Sequence, residues 1–319
     1  MKRIALEEHY TTAALADSFR SLAIGFDKET VARLVAGLSD FDGERLETMD
    51  QAGIDISVLS IAGSGVQTER SAATAIPHAR ETNDFLAAQI RKHPDRYRGF
   101  AHLPLQDPRA AADELARTVR EHGFLGALVS GPTHGHYLDE DRFLVFWERV
   151  AELNVPLYLH PGIPFQLPQS FQDHPELNGP IWGWTVDTAT HALRLVFSGL
   201  FDRLPNLTVI LGHMGEALPF LLWRIDTRYG ELNNFKGLRK TPSEYIKENF
   251  VVTLSGVFSA EPLLCALAAL GEDHVLFSVD YPFESSLVAA QFMDTISVPE
   301  HVREKINCKN AQRVLKMTS

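Results

Sequence analysis

Glu7 and His9, in the opening run Ile4-Ala-Leu-Glu-Glu-His9, are the first residues whose types and spacing suggest chemistry. In an extended segment successive side chains alternate between faces, so residues two apart project together. A carboxylate oxygen beside an imidazole nitrogen is the beginning of a divalent-cation site. E-x-H is a common tripeptide and decides nothing alone. Its weight depends on which later histidines and aspartates the fold brings next to it.

The elements that would do so recur along the whole chain. Short apolar or β-branched runs lie at 3–6, 56–60, 99–103, 126–130, 156–160, 207–212, 251–255 and 275–280. Most are hydrophobic throughout, as strands covered on both faces must be. Helical spacing fills the gaps. Residues 111–120 follow Asp107-Pro108, a turn with proline suited to a first helical position, and 143–153 repeat apolar residues at helical intervals. Ala189, Ala192, Leu193, Val196, Phe197 and Leu200 form a stripe expected to face the core. Strand alternating with helix in this way predicts an α/β fold, a (β/α)₈ TIM barrel forming one domain over residues 1–319. The connections 10–54 and 161–206 exceed what one helix needs and are expected to shape the mouth of the barrel.

Composition narrows the class. The chain has 319 residues, 45% hydrophobic and 22% charged, which suffices for a large single core. Its net charge of −11 comes with interspersed signs and no basic patch, which argues against nucleic acid or an anionic membrane as partner. No apolar run is long enough to span a bilayer, and the N-terminus enters a strand pattern without a signal-peptide pattern. Cys265 and Cys308 share no metal or redox spacing and read as buried, inert thiols, so the cytoplasm is the expected compartment. There is no nucleophile elbow, P-loop or dinucleotide fingerprint, and Gly63-Ser-Gly65 reads as an ordinary loop.

In a barrel, polar residues at the C-terminal ends of the strands converge on one mouth. Those ends carry Glu7 and His9 after strand one, His160 closing strand five, His213 just after strand six and Asp280 closing strand eight, with His102 near the end of strand three. Each alone reads more readily as a hydrogen-bonded structural residue than as a ligand. Several buried unpaired on one rim would be costly, and a divalent cation removes that cost. A mixed Glu, His and Asp set suits zinc or manganese.

The motifs Glu7-Glu-His9, Tyr158-Leu-His160-Pro161, Leu211-Gly-His213-Met-Gly-Glu216, Trp223-Arg-Ile-Asp226 and Leu276-Phe-Ser-Val-Asp280-Tyr-Pro-Phe-Glu284 together resemble the amidohydrolase superfamily. They are most similar to its branch of metal-dependent, non-oxidative decarboxylases. That branch includes aminocarboxymuconate semialdehyde decarboxylase and the dihydroxybenzoate, or γ-resorcylate type, enzymes. The resemblance runs from the first strand to the C-terminal Asn310-Ala-Gln-Arg-Val-Leu helix. It implies one divalent metal held by Glu7, His9, His160 and Asp280, with no organic cofactor. It also implies a catalytic His213 fixed by Glu216, and a homodimer or homotetramer. Arg224 would grip a substrate carboxylate, within the subunit or across an interface, or else form a helix salt bridge with Asp226. The chain departs from the pattern once: His160 is followed by Pro161-Gly162-Ile163-Pro164, where the better-known enzymes carry Pro-Arg-Asn-Pro.

The implied reaction removes the carboxyl group of a small ortho-hydroxylated aromatic, or related unsaturated, carboxylic acid. A ring proton is delivered through Asp280 or stored at His213 with Glu216, while Trp184, Trp182 and Phe283 offer aromatic walls. The rival is a metal-dependent hydrolase or hydratase activating water against a lactone, amide or unsaturated dicarboxylate.

Overall fold

The computed structural model describes residues 2–16, 26–162, 164–232 and 237–317. Eight parallel strands, β1 (Ile4–Tyr10), β2 (Ile56–Ile61), β3 (Tyr97–Gly99), β4 (Ala127–Ser130), β5 (Leu157–His160), β6 (Val209–Leu211), β7 (Phe250–Thr253) and β8 (Val275–Leu276), alternate with helices. The ladders run β1-β2-β3 and β4-β5-β6-β7-β8. Two isolated parallel bridges join them into a barrel, Ala101 with Ala127 and Glu8 with Tyr281. This is a (β/α)₈ barrel of the expected class.

Side-chain alternation sorts the core into two shells. Ile4, Val58, Phe100, Leu128, Tyr158, Ile210, Val251 and Leu276 fill the interior, and Cys308, Ala311, Val314 and Leu315 pack with them. Their neighbours Ala5, Leu59, Val129, Leu157, Leu159, Val209, Leu211, Val252 and Val275 face outward into the larger layer beneath the helices. β1 breaks the alternation. Its register against β2 slips by one residue between Ala5 and Glu8, a β-bulge. Before the bulge Ile4 and Leu6 point inward. After it Tyr10 points outward, while Glu7 and His9 turn to the interior.

Several expected boundaries move, each for a visible reason. β1 extends to Tyr10, so Glu7 and His9 lie within the strand rather than after it. β3 ends at Gly99 with only Ala101 bridging beyond, because Asn83 donates to the His102 carbonyl and accepts from its N–H, both at 2.8 Å. β6 is shortened to Val209–Leu211. β8 stops at Leu276, after which partners outside the ladder take over: Phe277 N–H donates to the Ile306 carbonyl, and Val279 N–H to the Glu8 carboxylate. The Asp107-Pro108 start is borne out by a helix at Pro108–His122 whose first N–H groups donate to Asp107. Of the expected stripe, Ala192, Val196 and Leu200 are buried, but Phe197 is exposed and stacks on Tyr229. Cys308 is buried, whereas Cys265 is only partly so and sits on a cavity wall. No helix among the described residues is long and apolar enough to cross a membrane.

His102 is a structural residue. Its Nε2 accepts the Val66 N–H at 2.8 Å, and His191 Nε2 accepts the Leu138 N–H at 2.9 Å. An imidazole that accepts a backbone N–H must be neutral. Burial pushes both groups down to about 3, from an ordinary value of 6.5. Between those values the unfolded chain binds more protons than the folded one. The stability is therefore complete above pH 6.5 and lost as pH falls, by about 1.4 kcal/mol per pH unit for each histidine. Urea midpoints measured between pH 7 and pH 4 are expected to fall accordingly, and His102→Gln should remove one histidine's share of the slope.

Candidate metal centre

Glu7 and His9 on β1, His160 at the end of β5 and Asp280 beyond β8 each point one ligand atom to a common place, all within 4.8 Å of one another. Glu7, His9 and His160 are buried, and Asp280 is partly open to the cavity above. The oxygens of Glu7 have different surroundings. Oε2 accepts from the Tyr158 hydroxyl, from Ser255 Oγ at 2.5 Å and from Thr253 Oγ1 at 3.5 Å. Oε1 is buried without a hydrogen-bond donor, 3.1 Å from His160 Nε2, 3.4 Å from His213 Nε2 and 4.0 Å from His9 Nε2.

The imidazoles are arranged to match. His160 Nδ1 donates to the Pro161 carbonyl at 2.7 Å, which leaves a lone pair on Nε2 in the neutral ring. His9 Nδ1 is 3.2 Å from Ser60 Oγ, and its buried Nε2 has no hydrogen-bond partner. The His160 Nε2 lone pair thus faces a carboxylate oxygen, an arrangement that needs a positive charge between them. Two carboxylates and two imidazoles, with Glu7, His9 and His160 each engaged through the far atom by a hydroxyl or carbonyl group, are the donor set and outer support of a divalent-cation site. The residues fit the ion.

His213 stands beside this cluster. Its Nδ1 lies 2.8 Å from Glu216 Oε1, and its Nε2 is 3.7 Å from Asp280 Oδ2. Asp280 Oδ1 in turn lies 3.2 Å from His9 Nε2. With no ion bound, protons on the imidazoles take the place of the cation, and although burial works against charge at both Glu7 and His213, their charged neighbours prevail. The three imidazoles hold Glu7 well below the usual carboxylate range, and the Glu7 and Glu216 carboxylates hold His213 well above the usual histidine value. The backbone that places His213 is unusual: His213, Met214, Gly215, Glu216 and Ala217 include φ values of 48°, 57°, 78°, 54° and 62°. Left-handed residues in series are costly and persist only where the surroundings impose them. A Cβ on Gly212 would lie 2.7 Å from Glu7 Oε2, so only glycine lets the chain pass here.

Above the cluster opens a cavity of about 970 Å³ walled by Leu34, Trp184, Met214, Phe220, Val257 and Phe283 among others. Both long connections contribute, through Leu15 and Leu34 on one side and Pro161 and Trp184 on the other. Phe283 meets His9 edge to face, with centroids 5.7 Å apart. Trp182 is half exposed and is not among the lining residues. Gly63, Ser64 and Gly65, read from sequence as an ordinary loop, are part of the cavity wall. Arg224 lies exposed on helix Leu218–Glu231, away from the lining, and Asp226 is engaged by Ser243 instead. Ile163, in the loop that departs from the decarboxylase pattern, falls outside the described residues. Sequence reasoning missed Tyr158, Thr253 and Ser255. Their signal was available, since Tyr158 is two residues before His160 and Thr253 two before Ser255, on inward-facing positions.

A sequence-family profile described as Amidohydrolase matches residues 36–317. The chain belongs to the amidohydrolase family. It is 43% identical over 328 residues to a gamma-resorcylate decarboxylase of Polaromonas sp. strain JS666, covering 99% of this chain and 98% of that one. The solved structure of a dihydroxybenzoic acid decarboxylase from the same organism, with bound manganese and the inhibitor 2-nitroresorcinol, superimposes with a TM-score of 0.94 at 40% identity. It covers 99% of this chain and 97% of that one. A 5-carboxyvanillate decarboxylase from Sphingomonas paucimobilis gives a TM-score of 0.92 at 35% identity, with 99% of each chain covered. Fold, donor cluster and relatives together make this chain a metal-dependent carboxy-lyase.

Tyr158→Phe removes a donor from Glu7 Oε2 without touching any of the four ligand atoms. It is expected to weaken Mn(II) binding by about 10–100-fold, the usual cost of losing outer support. Titration of chelator-stripped protein reads this directly. An unchanged affinity would deny the hydroxyl its supporting role.

Proposed function

We propose that this chain removes carbon dioxide, without oxidation, from a small ortho-hydroxylated benzoate and uses manganese as its divalent ion. Glu7, His9, His160 and Asp280 hold the ion; Asp280, His213 and Glu216 handle the proton. The observation carrying this reading is the difference between the two carboxylates. Glu7 is sealed at the floor, while Asp280 opens on the cavity with one oxygen toward the cluster and the other toward His213. The substrates named for the relatives, gamma-resorcylate and 5-carboxyvanillate, share the hydroxybenzoate unit.

When bound, the ion supplies Lewis-acid stabilisation for a substrate's carboxylate and ortho-oxygen. The side chains do the rest. Trp184 and Phe283 confine the ring so that the carboxyl-bearing carbon faces Asp280. Asp280 transfers a proton to that carbon. The bond to the carboxyl group then breaks, its electron pair restores the aromatic ring, and carbon dioxide departs. Asp280 is left ionised and is reprotonated through His213, whose orientation is set by Glu216. The apolar walls keep water from competing.

The quaternary reading follows from the rim. Phe220 and Trp223 are 81% and 77% exposed on helix Leu218–Glu231, and Phe220 also borders the cavity. Large apolar side chains in such a position are suited to burial against a second copy of the chain. In such a homodimer Arg224, exposed on the same helix, would reach a substrate carboxylate across the interface.

Three experiments test these readings. A screen of hydroxybenzoates with Mn(II)-loaded protein should release carbon dioxide from an ortho-hydroxylated member. Asp280→Asn should cut kcat at least about 10²-fold, the scale of general acid catalysis. Turnover of a lactone or amide without carbon dioxide would overturn the proposal. In sedimentation velocity the native protein should be at least dimeric and Trp223→Glu largely monomeric, whereas a fully active native monomer would contradict the second reading.

A further inference from the structure

The ligands straddle one of the two lines along which a single bridge closes the barrel. Glu7 and His9 lie on β1 and Asp280 beyond β8, but among the described residues the sheet has only the bridge of Glu8 with Tyr281 between these strands. Two backbone hydrogen bonds cross there, His9 N–H to the Tyr281 carbonyl at 2.8 Å and Asp280 N–H to the Glu7 carbonyl at 2.9 Å. Side chains complete the seam. Glu7 N–H donates to Ser278 Oγ at 2.6 Å, and Glu8 Oε1 accepts from Val279 N–H at 2.9 Å.

Arg45, on helix Glu44–Gln51, lies behind this seam and is 2% exposed. Its Nη2 donates to the His9 carbonyl at 2.6 Å and to the Gly37 carbonyl at 2.9 Å, and its Nε donates to the Asp40 carbonyl at 2.7 Å. The guanidinium carbon stands 4.6 Å above the ring centre of Tyr281, the residue that follows Asp280. None of the ion pairs among the described residues, to a limit of 4.0 Å, involves Arg45, and Nη1 is buried without a hydrogen-bond partner. Burying a cation on such terms is expensive, and apolar filling of the same volume would be cheaper. What apolar filling cannot do is grip a carbonyl on one strand while its flat face fixes the segment after another.

We propose that Arg45 is a positioning residue of the metal centre: its guanidinium, bonded to the His9 carbonyl and stacked on Tyr281, sets the spacing of the β1 and β8 ligands. The proposal rests on the metal-site reading above. Arg45 also ties in helix Lys28–Ser39 through Gly37, where an added Cβ would stand 2.9 Å from Pro282. That close packing brings helix Lys28–Ser39 against the same Tyr281-Pro282 segment. The ligand geometry is thus held from outside the barrel, by a residue that touches none of the four donor atoms.

The test uses Mn(II) alone as probe, on chelator-stripped full-length protein. Binding affinity, the electron paramagnetic resonance spectrum of bound Mn(II) and the thermal midpoint are read in parallel. Arg45→Lys keeps the charge but loses the planar fork, and Tyr281→Leu removes the ring face. Both are expected to weaken Mn(II) at least about tenfold and to broaden its spectrum, with Tyr281→Phe restoring the native behaviour. A lowered midpoint with native Mn(II) affinity and spectrum in Arg45→Lys would reduce Arg45 to a structural residue and overturn the proposal. If Arg45→Lys does not fold, the same comparison between Tyr281→Leu and Tyr281→Phe decides. Failure of the native protein to bind Mn(II) would instead overturn the metal-site reading, and this inference with it.

Discussion

A buried carboxylate oxygen with no donor, Oε1 of Glu7, is the point around which the site is organised. Burying a charge in a barrel of Ile, Leu, Val and Phe is tolerable only if it is met by opposite charge or by hydrogen bonds. The protein meets one oxygen with the hydroxyls of Tyr158, Ser255 and Thr253 and leaves the other for a cation. Every nearby group conforms to that choice. His160 and His9 have their Nδ1 atoms engaged and turn Nε2 inward, and Asp280 adds a second carboxylate from the adjoining segment after β8.

The same constraint links floor and mouth. Ser255 Oγ donates to Glu7 Oε2 and accepts the His213 N–H at 3.1 Å, so one hydroxyl fixes a candidate ligand and the start of the strained turn. That turn brings His213 over the cluster, and Glu216 sets the direction of its ring. Division of labour between the two carboxylates then follows from depth. The sealed one can only hold; the one on the cavity can also exchange protons with whatever occupies it.

Much of this was legible in the chain. Strand-like runs alternating with helical periods gave the barrel, and its geometry placed Glu7, His9, His160, His213 and Asp280 on one mouth. What was not legible is tertiary. Simple alternation from Ile4 and Leu6 would send Glu7 and His9 outward; the bulge between Ala5 and Glu8 reverses this, and a register slip leaves little trace in one sequence. β3 and β8 came out shorter than their apolar runs because Asn83 and Glu8 take backbone groups that a neighbouring strand would otherwise pair. His102 shares the rim by position, yet it serves the Val66 loop. Arg45 looks like any polar helix residue until its surroundings are known. Phe197 and Arg224 were misplaced or left open because periodicity tells which residues share a face, not what that face meets.

The most direct test of the account is the metal stoichiometry of protein stripped with chelator and retitrated with Mn(II), followed by its thermal midpoint. The account predicts one ion per chain and a midpoint that rises as the ion binds, because the uncompensated charge at Glu7 and Asp280 is then neutralised. Saturation without a tightly bound ion, or a midpoint indifferent to Mn(II) and to other divalent metals, would contradict it.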